Sequence, residues 1–114
     1  MKIIANYVPS AVPPLLMLYI HDAPHRRMHI QIIKQYRVAL REAMKKIGIE
    51  KAIDHEIDLH VLFVNPSSPD NGNLYLALEQ ALDGSTLDKP GIVTDDGLIG
   101  ETRIKKFYNQ PAKK

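Results

Sequence analysis

Residues 53–64 alternate. Ile53, His55, Ile57, Leu59, Val61 and Phe63 fall on one face; Asp54, Glu56, Asp58 and His60 fall on the other. Successive side chains of an extended strand point to opposite sides. The pattern therefore predicts a strand with one face turned to a core, apolar on both faces near its end. Such a strand cannot stand alone: it needs neighbours and a layer that covers its apolar face. His55 is expected on the covered side, as a hydrogen-bonded core histidine. The run NPSSP at 65–69 stops the strand.

The covering layer is predicted to be helical. Over 29–47, Ile33, Tyr36, Leu40, Ala43, Met44 and Ile47 recur at three- and four-residue steps, which builds one apolar stripe. Gly48 supplies the C-terminal stop. A second, shorter stripe is made by Leu74, Ala77, Leu78, Ala81 and Leu82. Asp70, Asn71 and Asn73 are all suited to cap its start, and Asp83-Gly84 closes it. Residues 2–8 read as a first strand. Residues 15–20 fit either a strand or an extended arm. Residues 91–94 and 102–108 read as two further strands, with Asp95-Asp96-Gly97 near the connection between them. The expected fold class is α+β: a small mixed or antiparallel sheet with two helices packed on it. At 114 residues, with ordinary apolar and charged content, the chain is expected to form one domain over 1–108. Residues 109–114 read as a flexible basic tail.

With no cysteine in the chain, disulfides, thiolate metal sites and a cysteine nucleophile are excluded. No apolar run is long enough to cross a bilayer, and the first residues lack the flanks of a secretory signal. The expectation is a cytoplasmic protein with no membrane partner. A net charge of +2 selects no partner by itself. Its distribution is more telling: Lys34, Arg37, Arg41 and Lys45 recur along the first helix, and Arg103 and Lys105 lie on the last strand. Such a stripe is either a solvated helix face or a surface for phosphates.

The remaining chemistry is acidic. Asp70 stands just before the second helix, and the pair Asp95-Asp96 follows it after a loop. Carboxylates grouped on either side of a compact helix can hold a hard divalent cation, which activates water and neutralises charge on a phosphodiester. Asp70 as a helix cap and Asp95-Asp96-Gly97 as a turn are the structural readings of the same residues.

Asp70, Asn73, Leu74, Ala81, Leu82, Asp95, Asp96 and Ile99 together form a pattern that resembles the RusA family of Holliday-junction resolvases. Two positions depart from it. Gly72 stands where that family carries a second Asp, and Leu76 where it carries a Lys. The resemblance implies Mg²⁺-dependent cleavage of four-way DNA junctions by a homodimer, with Mn²⁺ as a possible substitute. Asp70 and Asp96 would be catalytic. Asp70, Asp95 and Asp96 would ligate the metal, brought together over the start of the second helix. Lys34, Arg37, Arg41, Arg103 and Lys105 would contact DNA phosphates. The departures at Gly72 and Leu76 define the alternative, a nuclease-fold protein that has lost cleavage and acts as a DNA-binding or protein-interaction module.

Overall fold

The computed structural model describes residues 1–23, 30–66, 71–83 and 91–108, with the backbone alone at 71–74, 76–77 and 96. Four strands form one mixed sheet in sequential order: β1 (Lys2–Val8), β2 (Leu15–His21), β3 (Ile57–Val64) and β4 (Ile99–Phe107). β1 and β2 form an antiparallel pair; β2, β3 and β4 run parallel. Parallel neighbours need crossover connections. Helix α1 (Ile30–Lys46) lies in the first crossover and α2 (Asn71–Leu82) in the second. Two crossovers of the same hand, stepping the same way across a sheet, put both helices on one face.

The burial pattern agrees. Ile3 and Ala5 of β1, Leu16, Leu18 and Ile20 of β2, and Ile57, Leu59, Val61 and Phe63 of β3 are all buried in one cluster. Tyr36, Leu40, Ala43 and Met44 of α1 join it, with Leu78, Ala81 and Leu82 of α2. The strand and helix stripes expected from sequence thus meet in one α+β core. Leu74 and Ala77 lie outside the described side chains. Burial of the Tyr36 ring pushes its phenol up to about 12, because a phenolate would lose its hydration there.

α1 ends in a Schellman motif. Ile49 N–H donates to the Met44 carbonyl at 2.9 Å and Gly48 N–H to that of Lys45 at 3.0 Å, with Gly48 at φ +82°. The glycine stop was legible because an L side chain rarely adopts that conformation. Ile47, expected on the buried stripe, sits past the helix end and is exposed.

Of the two readings of residues 15–20, the strand is the one found: they belong to β2, in the middle of the sheet. Two expectations change. The alternation from 53 is not one strand: β3 begins at Ile57, and Ile53 makes an isolated bridge to Val93. Ile53 donates to the Ile92 carbonyl at 2.8 Å and accepts from Thr94 at 2.9 Å, so the chain follows the 92–94 segment there and not the sheet. His55 is consequently exposed, and its Nε2 sits 2.8 Å from the Tyr7 hydroxyl. Residues 91–94 form bridges to Ile53 and Asp83 without becoming a strand of the sheet. The 109–114 tail lies outside the described residues. No helix among the described residues is long and apolar enough to cross a membrane.

Candidate functional site

The acidic motif spans the second crossover. The chain leaves β3 at Val64, starts α2 at Asn71, ends it at Leu82, and enters β4 at Ile99 beside Ile57. Ile92 and Val93 both donate to the Leu82 carbonyl, at 3.0 and 3.2 Å, so the segment leading to β4 rests on the last turn of α2. Gly91 permits this approach. A Cβ there would run into the backbone of Leu82 and Asp83.

Asp95 and Asp96 follow that contact. The Asp95 carboxylate accepts the Gly97 N–H at 2.9 Å, and its carbonyl accepts the Leu98 N–H at 3.1 Å. This is an Asx turn that starts a short 3₁₀ helix, Asp96–Leu98, and places Ile99 in register with β3. Asp95 therefore has a structural task, and its second carboxylate oxygen makes no hydrogen bond among the described residues. Asp70 lies outside the described residues. Asp96, Gly72 and Leu76 are described by their backbone alone, Asp96 in the 3₁₀ turn and the other two within α2.

The chain path bears on how these carboxylates can meet. Asp70 precedes the first residue of α2, whereas Asp95 and Asp96 follow the segment seated on its last turn. Twelve helical residues extend about 18 Å. The helix start and the Asp95-Asp96 turn thus belong to opposite ends of the same element.

Two carboxylates not singled out from sequence stand near the start of β4. A Cβ on Gly100 would lie 3.1 Å from Asp58 Oδ1 and 3.2 Å from Glu56 Oε1. Asp58 Oδ1 also accepts the Glu101 N–H at 3.0 Å. In the alternating pattern both looked like an ordinary solvated strand face; the signal that sets them apart is the missing side chain at Gly100. Among the described residues, no three His, Asp or Glu side chains gather into a group that could hold a metal. The donors at the Asp95-Asp96 turn are hard oxygens. They suit Mg²⁺, which takes one or two carboxylates and keeps several waters.

The basic residues divide between the two sides of the sheet. Lys34, Arg37 and Arg41 lie on α1, in the helical layer. Lys34 and Arg41 are exposed. Arg37 is half-buried: its Nη2 donates to the Gln80 carbonyl at 3.3 Å, and its Nε is buried without a partner among the described residues. Gln80 is in the last turn of α2, where carbonyls lack helical partners. Arg37 thus closes the end of α2, as a cation beside a helix C-terminus does. Arg41, Lys45 and Lys51 surround the cleft of about 210 Å³ next to it.

Arg103 and Lys105 pair in register with His60 and Leu62, on the face away from the helices. They border a cavity of about 290 Å³ with Met17, Tyr19, His60 and Leu62. Arg103 Nε donates to Glu101 Oε1 at 2.7 Å, and that hydrogen bond, reinforced by the charges of Glu101 and Asp58, raises the pKa of the guanidinium. The five basic residues therefore do not share one surface, and Arg37 and Arg103 already have partners within the chain.

Comparison of the chain with family models, curated proteins and solved structures gives no match.

Proposed function

We propose that this protein is a RusA-like, Mg²⁺-dependent endonuclease acting on branched DNA as a homodimer. The observation that supports it is the course of the second crossover: a helix opens directly after Asp70, and Asp95-Asp96 turns the chain into an edge strand. A helix, then a loop, an acidic pair and a strand is the order the RusA resemblance implies. A bound Mg²⁺ would neutralise charge on the scissile phosphate and supply an activated water. Asp96 and the second oxygen of Asp95 would hold the cation. Asp70 would complete the set. Because α2 separates the two ends of the motif within one protomer, Asp70 of one subunit would serve the Asp95-Asp96 turn of the other. The paired subunits a two-fold symmetric junction requires would then also complete each site. Lys34, Arg41 and Lys105, exposed and in no ion pair among the described residues, would contact backbone phosphates and read shape more than sequence.

The test is nicking of a synthetic four-way junction with and without Mg²⁺. Wild-type protein should introduce paired nicks, and Asp96→Asn should abolish them while junction binding persists. Cleavage that survives both Asp70→Asn and Asp96→Asn would place the chemistry elsewhere. Gly72 and Leu76 favour a second reading, the binding module without cleavage; junction binding with no metal-dependent nicking would select it.

A further inference from the structure

We infer that β4 is the dimer contact: its free edge pairs antiparallel with β4 of a second copy, about a two-fold axis through Thr102. This deepens the homodimer of the proposed function by naming its surface and register. β4 is the last strand of the sheet, so its outer edge has no partner strand among the described residues. An open edge is a template for another chain unless it is blunted. β4 carries such devices: a register shift between Ile99 and Thr102, and the cations Arg103, Lys105 and Lys106. They oppose indiscriminate addition. They do not oppose all registers equally.

A two-fold axis normal to the sheet must pass through a residue, because directly opposite residues of an antiparallel pair share a face. Each choice fixes the cross-strand neighbours. An axis at Glu101 sets it against the partner's Glu101, and one at Arg103 sets that residue against the partner's Arg103. An axis at Ile104 opposes Arg103 to the partner's Lys105, twice. An axis at Lys105 opposes two lysines. At Thr102 the signs agree: Glu101 faces the partner's Arg103, Arg103 faces the partner's Glu101, and Thr102 meets the partner's Thr102. Opposite charges and Thr pairs are favourable cross-strand neighbours, and like charges are unfavourable.

Backbone direction fits. The Phe107 carbonyl points towards β3, where it accepts from Asn65 N–H at 2.8 Å. Alternation along the regular part of β4 then aims the N–H and C=O groups of Thr102 and Ile104 outward. Thr102 and its symmetry mate would exchange both their hydrogen bonds. The Glu101–Arg103 contact, 2.7 Å within one strand and half-exposed, needs only a side-chain rearrangement to be shared across the pair.

The chain has no cysteine, so one introduced thiol per copy reports the register directly. Opposite residues of a hydrogen-bonded pair have Cα atoms about 5.5 Å apart, within disulfide reach. Thr102→Cys should oxidise to a covalent dimer on a non-reducing gel. Ile104→Cys should not, since its two copies would be roughly 13 Å apart along the strands. In sedimentation equilibrium the wild type should be a dimer. Glu101→Arg and Arg103→Glu should each weaken it roughly tenfold, and the double exchange should restore it. A monomeric wild type at 100-micromolar levels (about 10⁻⁴ M) would overturn the inference. So would a dimer indifferent to Arg103→Glu, or cross-linking through Ile104→Cys and not Thr102→Cys. These readouts need no DNA. A β4-linked dimer that nicks nothing would sink the nuclease reading and leave the contact standing.

Discussion

Leu78 shows how much one side chain carries here. It is fully buried at the junction of α2 with the core. Leu78→Ala should cost about 2–5 kcal/mol, the lost transfer energy plus the cavity left behind. Chemical denaturation should show this as a lower midpoint at unchanged slope. Tyr36 makes a pH-dependent contribution. Its phenol is raised to about 12 in the fold against an ordinary value of 10.0. An acid with a raised folded pKa favours the protonated native state. Stability from this group is therefore complete below pH 10 and falls as pH rises from 10 towards 12, by about 2–3 kcal/mol in all. Tyr36→Phe should flatten that alkaline loss, read by unfolding midpoints across the range. Gly91→Ala should be far more harmful than an exposed Gly→Ala change, because its Cβ would push the 91–93 segment off Leu82.

At the scale of elements, the two helices hold different kinds of information. α1 has a long amphipathic pattern and a complete C-terminal stop, so its course followed from sequence to within a residue or two at either end. Its basic stripe did not resolve so simply. Arg37 is turned inward to the end of α2, while Arg41 stays exposed. The two should therefore separate by experiment. Arg41→Ala should lower the salt dependence of junction binding by about one phosphate contact and leave stability unchanged. Arg37→Ala should lower stability by about 0.5–1.5 kcal/mol, at the low end because its buried Nε, without a partner among the described residues, already costs the native state. It should change the salt slope little. A reduced slope for Arg37→Ala at unchanged stability would return Arg37 to the DNA surface.

The whole molecule brings the motif's departures into play. Gly72→Asp with Leu76→Lys would restore a carboxylate for the cation and a positive charge for the phosphate. Metal-dependent nicking should rise in that double variant, measured as initial rate on a four-way junction. No gain in a protein that still binds junctions would favour the binding module. Mixing subunits tests whether each site needs both copies. If Asp70 of one subunit serves the Asp95-Asp96 turn of the other, a heterodimer of Asp70→Asn with Asp96→Asn keeps one intact site, and single nicks should return on mixing. Sites contained within one subunit would leave every mixture dead. An antiparallel β4 pair has the required sense, because it sets the start of β4 in one copy beside the end of β4 in the other, next to the end of β3 from which that copy's chain leaves for α2.

Periodicity alone determined the local elements whose stripes are regular: β1, the buried half of β3, α1 with its Gly48 stop, and the Leu78–Leu82 face of α2. Those signals are local, since alternation and three-to-four spacing record which side of each element avoids water. The α+β class followed from them. Tertiary structure decided what depends on neighbours distant in sequence. Ile53 keeps the parity of a strand residue, yet its hydrogen bonds go to Ile92 and Thr94, so β3 starts at Ile57 and His55 is free to meet Tyr7 in the open. The segment 15–20 was ambiguous because a central strand covered on both sides by neighbours is apolar in long runs, which a short window cannot tell from an extended arm. Spacing likewise put Arg37 with Arg41, and Arg103 with Lys105, as equal cations. Their partners, Gln80 and Glu101, distinguish them, and Gln80 reaches Arg37 only because α1 and α2 pack on the same face of the sheet.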